Sequence, residues 1–525
     1  MTDEYPPSGR ERRVGVTRRD LLRGAVAAGL AGGLASWPTP SFATRRETSG
    51  PDWDEFDAAV TASFGRMGMV GAAVAVVNAE GVLHTISLGV RDGPGGQPVT
   101  EDTHFLVAST TKSMTSLLVA TFVDDGLLGW DQPVVEAWPE FRAPTPELTA
   151  SMRVRDLLGM ASGITEPPAL SAVHEGDPTA AQLLQSIVNL PVQYPPGTTF
   201  FYNNTVYAVG GYLPALAQGV ALADLEETYR QMMHERVYGP VGMASATIAD
   251  DPRGVVERFA TGYGPDLRGR PVPLPYGPVG SYATVGGTLA TLRDMAAYVC
   301  LQLRRGTALD GTRVVSAVNL EECWKPHVST PFSPELDPDL VHAGYAMGWV
   351  HQTYRDGTEL VWHNGGIDGF TTFIGSFPDH DLGLVVLNNM NPTTIGTYFY
   401  TAVLDHLLSM RFGLNDGLQP KLEALVDEAL AKLDEIWQQT TRPDRSKVEP
   451  FLGYYEGGYS VLFEEGVPTI RMASRAFPLR ALPDGSYVAA AGLVPGLAIH
   501  LRRTVRGSAQ MELEGLETVT RTVGL

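Results

Sequence analysis

At 525 residues the chain exceeds what a single hydrophobic core supports, and its length implies about two to four domains. A formal net charge of −20 argues against a nucleic-acid partner, which needs a basic face, and leaves an acidic, self-repelling surface. A hydrophobic content of 44% is that of an ordinary globular protein, and 57 glycines with 38 prolines imply many tight turns.

The N-terminus reads as an address rather than as structure. Arg18-Arg19 follows a polar, basic start, and an apolar run over 24–37 comes next. That run is too short for an ordinary membrane span, so no stable span is expected. Ser41-Phe42-Ala43 places small residues where a cleavage site needs them. Residues 1–43 thus resemble a twin-arginine-type export signal, with the mature protein periplasmic or secreted. No cysteine follows to carry a lipid, and 44–50 read as a short linker.

A helix is expected over 53–67, then two strands of a hairpin over 71–77 and 82–88, separated by Asn78-Ala79-Glu80-Gly81. Phe105-Leu106-Val107-Ala108 leads to a helix starting at or near Ser109. Its buried face is spelled by Met114, Leu117, Leu118, Thr121 and Phe122. Residues 150–300 are rich in helical pattern, with 155–164 reading as a helix closed by a glycine turn. Strands return over 344–350, 359–362, 371–376 and 382–388. Strands at both ends with helices between imply an α/β (α+β) fold: one antiparallel sheet flanked by helices, plus an all-helical lobe. An amphipathic helix bridges 413–447, carried by Leu422, Leu425, Val426, Leu430, Leu433 and Ile436. Short β segments parted by turn residues then make 448–525 a small all-β domain, an up-and-down barrel. The expected division is 1–43 signal, 44–412 main domain, 413–447 linker helix and 448–525 barrel.

Lysine usage singles out one position. Of 39 basic side chains only five are lysine, and Lys112 is the only lysine in the first 324 residues. It lies three residues after a serine in Ser109-Thr110-Thr111-Lys112, so both side chains share one face of a helical first turn. Arginine stays charged in proteins, whereas a buried lysine can lose its proton and act as a base toward a hydroxyl. Two other stretches stand out. Pro195-Pro196-Gly197 delivers Tyr202-Asn203-Asn204, and Trp362-His363-Asn364-Gly365-Gly366 places two glycines after a strand, where a ligand can approach the backbone. Taken singly, each is as well explained by a capping serine, a buried tyrosine or a structural histidine. The two cysteines, Cys300 and Cys323, suit inert thiols or a single disulfide equally. The histidines form no metal-ligand pattern, and no cofactor or metal is expected.

In this order the three stretches resemble the serine hydrolases that share the fold of class C β-lactamases and penicillin-binding DD-peptidases. That family carries Ser-x-x-Lys, then Tyr-x-Asn, then Lys-Thr-Gly or His-x-Gly. The likeness covers about 55–412, and 448–525 resemble more loosely the lipocalin-like domain appended to some members. The resemblance implies Ser109 as nucleophile, with Lys112 and Tyr202 sharing the base work through lowered pKa values. It implies Asn204 against the substrate's acyl side or Lys112, and backbone N–H groups of Ser109 and Gly366 as an oxyanion hole beside His363 and Gly365. His363 stands in place of the lysine of the Lys-Thr-Gly pattern, which in β-lactamases and DD-peptidases helps hold a substrate carboxylate. This directs expectation away from β-lactams and D-Ala-D-Ala, toward a small ester, amide or short peptide. An acyltransferase using the same acyl-enzyme and a non-catalytic penicillin- or peptidoglycan-binding protein are the alternatives. The oligomeric state is left open.

Overall fold

The computed structural model describes residues 52–524 apart from 94, 167–177, 335, 368, 392–394, 416, 473–474, 493–494, 505–506 and 515–516. The expected export signal and the linker at 44–50 lie outside the described residues. Eight strands form the main sheet: β1 (Gly71–Asn78), β2 (Gly81–Gly89), β3 (Val328–Ser329), β4 (Leu340–Tyr345), β5 (Val350–Tyr354), β6 (Glu359–Ile367), β7 (Phe370–Phe377) and β8 (Leu382–Asn388). Their order is β2-β1-β8-β7-β6-β5-β4-β3 and neighbours run antiparallel, with Ala72 opposite Asn388 and Val77 opposite Gly383. The N-terminal hairpin therefore completes a sheet whose other strands come some 250 residues later.

Helices cover both faces of this sheet. Those that matter most are α1 (Trp53–Arg66), α2 (Thr111–Asp124), α3 (Asn204–Ala217), α4 (Leu292–Leu303), α5 (Ile395–Phe412) and α6 (Gln419–Gln439). Double coverage explains the unbroken apolar run of β1. Successive side chains point to opposite faces, so Ala73, Ala75 and Val77 join the core shared with α2 and α4, while Ala72, Val74 and Val76 join the core shared with α1 and α5. Local chemistry agrees with the ends: Asp52 caps α1, Asn203 caps α3, and Thr291 with Asp294 makes a capping box on α4.

One strand expectation is corrected. The apolar stretch at 344–350 is not a single strand. β4 ends at Tyr345, the chain turns with Ala346 N–H donating to the Trp349 carbonyl (2.8 Å), and β5 begins at Val350. The turn is apolar because it is buried against α2: a Cβ on Gly348 would meet the Tyr207 hydroxyl at 2.5 Å and the Lys112 carbonyl at 2.8 Å. A short buried turn and a buried strand share one composition, so hydrophobic pattern does not separate them. The strand expected over 359–362 also runs on through Ile367 and takes in the His-Asn-Gly-Gly segment.

After α6 the chain closes an eight-stranded up-and-down barrel: β9 (Gly453–Tyr455), β10 (Tyr459–Glu464), β11 (Val467–Met472), β12 (Arg475–Ala481), β13 (Tyr487–Ala489), β14 (Ala498–Arg503), β15 (Ala509–Leu513) and β16 (Glu517–Gly524). β9 pairs with β16 through Gly453–Gly524 and Tyr454–Val523, and Val461, Ile470, Phe477, Ile499 and Met511 fill the interior. A separate cluster of Leu267, Leu433, Ile436 and Val488 joins α6 to the barrel and to the main domain. Leu267 N–H adds a bond to the Ala490 carbonyl at 3.0 Å. Cys300 and Cys323 are free and buried, and desolvation raises both thiols, Cys300 to about 11. Among the described residues no single helix is long and apolar enough to cross a membrane.

One half-buried acid yields a stability prediction. Desolvation, reinforced by the Asp339 carboxylate, raises Asp337 to about 6. Asp339 itself is held by Arg355 at 2.8 Å and by Asn415 N–H at 2.6 Å. A carboxyl raised above its unfolded value of about 3.9 favours the fold when protonated, so its penalty is absent below about pH 4 and complete above about pH 6. Asp337→Asn is expected to stabilise the fold by about 1–3 kcal/mol at pH 7–8 and to leave it unchanged near pH 4. Thermal melts across that range check this, and an equal shift at every pH would contradict it.

Candidate active site

Ser109 sits on a sharp turn between a two-residue strand and α2. Phe105–Leu106 pairs with Thr288–Ala290, and Val107 N–H donates to the Thr288 carbonyl (2.9 Å). The chain then turns through Ala108, whose φ of +50° is left-handed, a conformation that costs a side-chain-bearing residue about 1–2 kcal/mol. Ser109 falls in a 3₁₀ turn, Ala108–Thr110, and the α-helix proper starts at Thr111, two residues later than the helical pattern predicts. Every residue from Thr103 to Phe122 is buried except Ser109, which is half exposed. The strained turn thus lifts one hydroxyl out of an otherwise closed core.

Lys112 lies beneath that hydroxyl. Its side chain is 0% exposed, Nζ is 3.0 Å from Ser109 Oγ, and Nζ donates to the Val285 carbonyl at 3.0 Å. The amine also stands over the rings of Tyr202 (4.8 Å) and Tyr207 (5.7 Å). Desolvation pulls Lys112 well below the ordinary lysine value, and the Glu166 carboxylate opposes this only in part. A neutral amine oriented by one carbonyl acceptor keeps a lone pair for the serine proton.

The Tyr202 phenol moves upward, chiefly through burial and further through Glu166, against the pull of the Ser109 hydroxyl. The expectation that both Lys112 and Tyr202 are lowered therefore meets the structure at Lys112 alone. Burial stabilises whichever form is neutral, and that form is the amine for lysine and the phenol for tyrosine. Asn204 is the first residue of α3, and its buried side-chain oxygen has no partner among the described residues, so it makes no bond to Lys112.

The third segment comes from β6. His363 is 2% exposed, and Nε2 lies 3.1 Å from the Tyr345 hydroxyl. Desolvation, with Lys112 adding, lowers it to about 3, so the ring is neutral at any ordinary pH. Tyr202, Tyr345 and His363 form one aromatic cluster, with ring centroids 5.9–6.3 Å apart. Gly365 is buried, and a Cβ there would strike the Val107 carbonyl at 2.2 Å and Thr372 Oγ1 at 2.4 Å. Only glycine lets β6 lie this close to the turn that carries Ser109. Gly366, opposite Thr371 on β7, is exposed. Asp368, just past this segment, lies outside the described residues.

The structure thus brings Ser109, Lys112, Tyr202, His363 and Gly365 together, while Asn204 follows at the start of α3 and Gly366 next along β6. Three further participants had no sequence signal of their own. Val285, just before Gly286-Gly287, contributes only a backbone carbonyl. Tyr345 is one of 19 tyrosines. Glu166 follows the glycine turn at 163 and binds the first N–H groups of α3.

A family model described as Beta-lactamase matches residues 56–406. An unguisins hydrolase of Aspergillus campestris is 28% identical over 436 residues, covering 79% of this chain and 77% of its own. Penicillin-binding protein 4 of Amycolatopsis lactamdurans is 26% identical over 390 residues, with 74% and 93% covered. A D-aminopeptidase of Cereibacter sphaeroides is 27% identical over 349 residues, with 64% and 60% covered. Among solved structures, the octameric penicillin-binding protein homologue from Pyrococcus abyssi shares the fold, with a TM-score of 0.59 at 20% identity over 89% of this chain and 100% of that one. A model match across 56–406, over the same span that holds the serine, the buried lysine and the β6 glycines, places the chain in the beta-lactamase family.

Proposed function

We propose that the protein is an exported serine hydrolase that cleaves an ester or a small amide through a Ser109 acyl-enzyme. The observation that carries this reading is the buried Lys112 amine 3.0 Å from Ser109 Oγ, held well below the ordinary lysine value by desolvation. As Oγ attacks the substrate carbonyl, its proton passes to Lys112 Nζ, which the Val285 carbonyl holds in place. The protonated Tyr202 phenol is the group through which the proton returns to the leaving group. Backbone N–H groups of Ser109 and Gly366 take the oxyanion, and the unpaired Asn204 oxygen takes a donor from the acyl side of the substrate. Water then repeats the attack, and the ester to Ser109 is hydrolysed.

Charge narrows the substrate. A neutral His363 offers no cation to a substrate carboxylate, which favours esters and amides without one over β-lactams and D-Ala-D-Ala ends. The relatives named as unguisins hydrolase and D-aminopeptidase support an amide or short-peptide substrate. Export rests on Arg18-Arg19, the apolar run and Ser41-Phe42-Ala43.

A fluorophosphonate is expected to add once to the wild type and not to Ser109→Ala by intact mass; equal labelling of both would sink the nucleophile assignment. Penicillin turnover at the efficiency of a dedicated β-lactamase would overturn the substrate preference. Labelling should rise with pH through one ionisation well below the free-lysine value of about 10.4, and Lys112→Arg should lower it about 10³-fold or more, because arginine keeps its proton. A rate still climbing at pH 10 would speak against the neutral amine. Changing Arg18 and Arg19 together to lysine is expected to retain the protein in the cytoplasm, whereas the exported wild type begins after Ala43 on N-terminal sequencing; unaffected export of the double variant counts against a twin-arginine route.

A further inference from the structure

Glu166 is a buried carboxylate for which the proton transfers above have no use. Its residue is 4% exposed. One carboxylate oxygen accepts from Asn204 N–H and the other from Thr205 N–H, both at 3.1 Å. These are the first N–H groups of α3, which no intrahelical acceptor reaches and toward which the helix dipole favours an anion. The surrounding segment grips the same helix start. Asn203 Nδ2 donates to the Ile164 carbonyl at 3.1 Å, and Phe201 N–H donates to the Met160 carbonyl at 2.9 Å. Tyr202 is therefore held on both sides by the stretch that ends in Glu166.

Charge adds a second, independent link. Among the described residues, the titratable groups that stand against Lys112 or act on its charge are Glu166, Tyr202, Tyr207 and His363. Burial keeps the two tyrosines and the histidine neutral. Burial also raises Glu166, against the pull of its two backbone N–H donors, the Thr205 side chain and Lys112. Above its own pKa it is the group of this set that carries negative charge.

We infer that Glu166 is a positioning residue of this site: its carboxylate clamps the start of α3 so that Tyr202 and Asn204 face Ser109, and its negative charge acts on the Lys112 amine. This rests on the Ser109–Lys112 pair being the acylating unit. An ionised Glu166 stabilises the Lys112 ammonium. Removing the charge should leave more neutral amine at lower pH, while loosening the clamp should slow acylation at every pH.

The test uses the full chain as wild type, Glu166→Gln and Glu166→Asp, with the rate of fluorophosphonate labelling followed by intact mass from pH 5 to 9 and thermal melts alongside. Glu166→Gln is expected to move the acid limb down by about one pH unit and to lower the plateau about tenfold. Glu166→Asp keeps the charge but cannot reach both N–H groups, so its limb should stay in place while the plateau falls by a similar factor of about ten. A Gln variant that loses only thermal stability, with its limb unmoved, reduces Glu166 to a helix cap and overturns the inference. Should the Gln variant fail to fold, a wild-type plateau in Glu166→Asp overturns it. A wild type that takes no label fails in a different way: it removes the Ser109–Lys112 reading itself, and this inference with it.

Discussion

Keeping water away from the Lys112 amine is the constraint on which the rest of this structure depends. An ammonium in a low-dielectric interior costs several kcal/mol after relaxation, and a lysine sheds its proton rather than meet that cost. Every residue of α2 from Thr111 to Phe122 is buried. The helical lobe supplies Tyr202 and Tyr207 over the amine, and the β4–β5 turn packs against the Lys112 carbonyl. Enclosure from all these sides is what lowers the pKa of a side chain that would stay charged in water. Arginine at the same place would remain a cation.

The opening in that enclosure is equally specific. The left-handed Ala108 turns the chain so that Ser109 alone leaves the core, and the Val107 carbonyl anchors the turn by accepting from Thr110 Oγ1 and Thr372 Oγ1 at 2.8 Å each. Gly365 then allows β6 to run against the same carbonyl. The Ser109 turn and the sheet are therefore registered to one another by short contacts. The barrel is tied in through α6 and through the segment near Leu267, so the C-terminal domain braces the main domain on another side.

A good part of this is legible in the chain itself. The 53–67 helix, the 71–88 hairpin and the barrel strands follow from periodicity and turn residues, because those patterns report burial of one face or two. The 344–350 stretch misleads for the same reason: a buried apolar turn and a buried strand look alike along the chain. Ser109, Lys112, Tyr202, Asn204, His363, Gly365 and Gly366 were all visible as motifs. Glu166, Tyr345 and Val285 were not, because one acts from outside any motif, one is a tyrosine among many, and one acts through its backbone.

What the sequence by itself determined is the cast: a serine with a lone lysine one helical turn away, an amide and an aromatic after a Pro-Pro-Gly turn, and a histidine ahead of two glycines. What only the tertiary structure decided is the charge each of them bears. Desolvation by residues remote in the chain shifts Lys112 and His363 toward their neutral forms and holds Tyr202 in its protonated one. Val285, for example, stands 173 positions from the lysine it holds. Desolvation is a property of everything packed around a group, and no local stretch of sequence contains it.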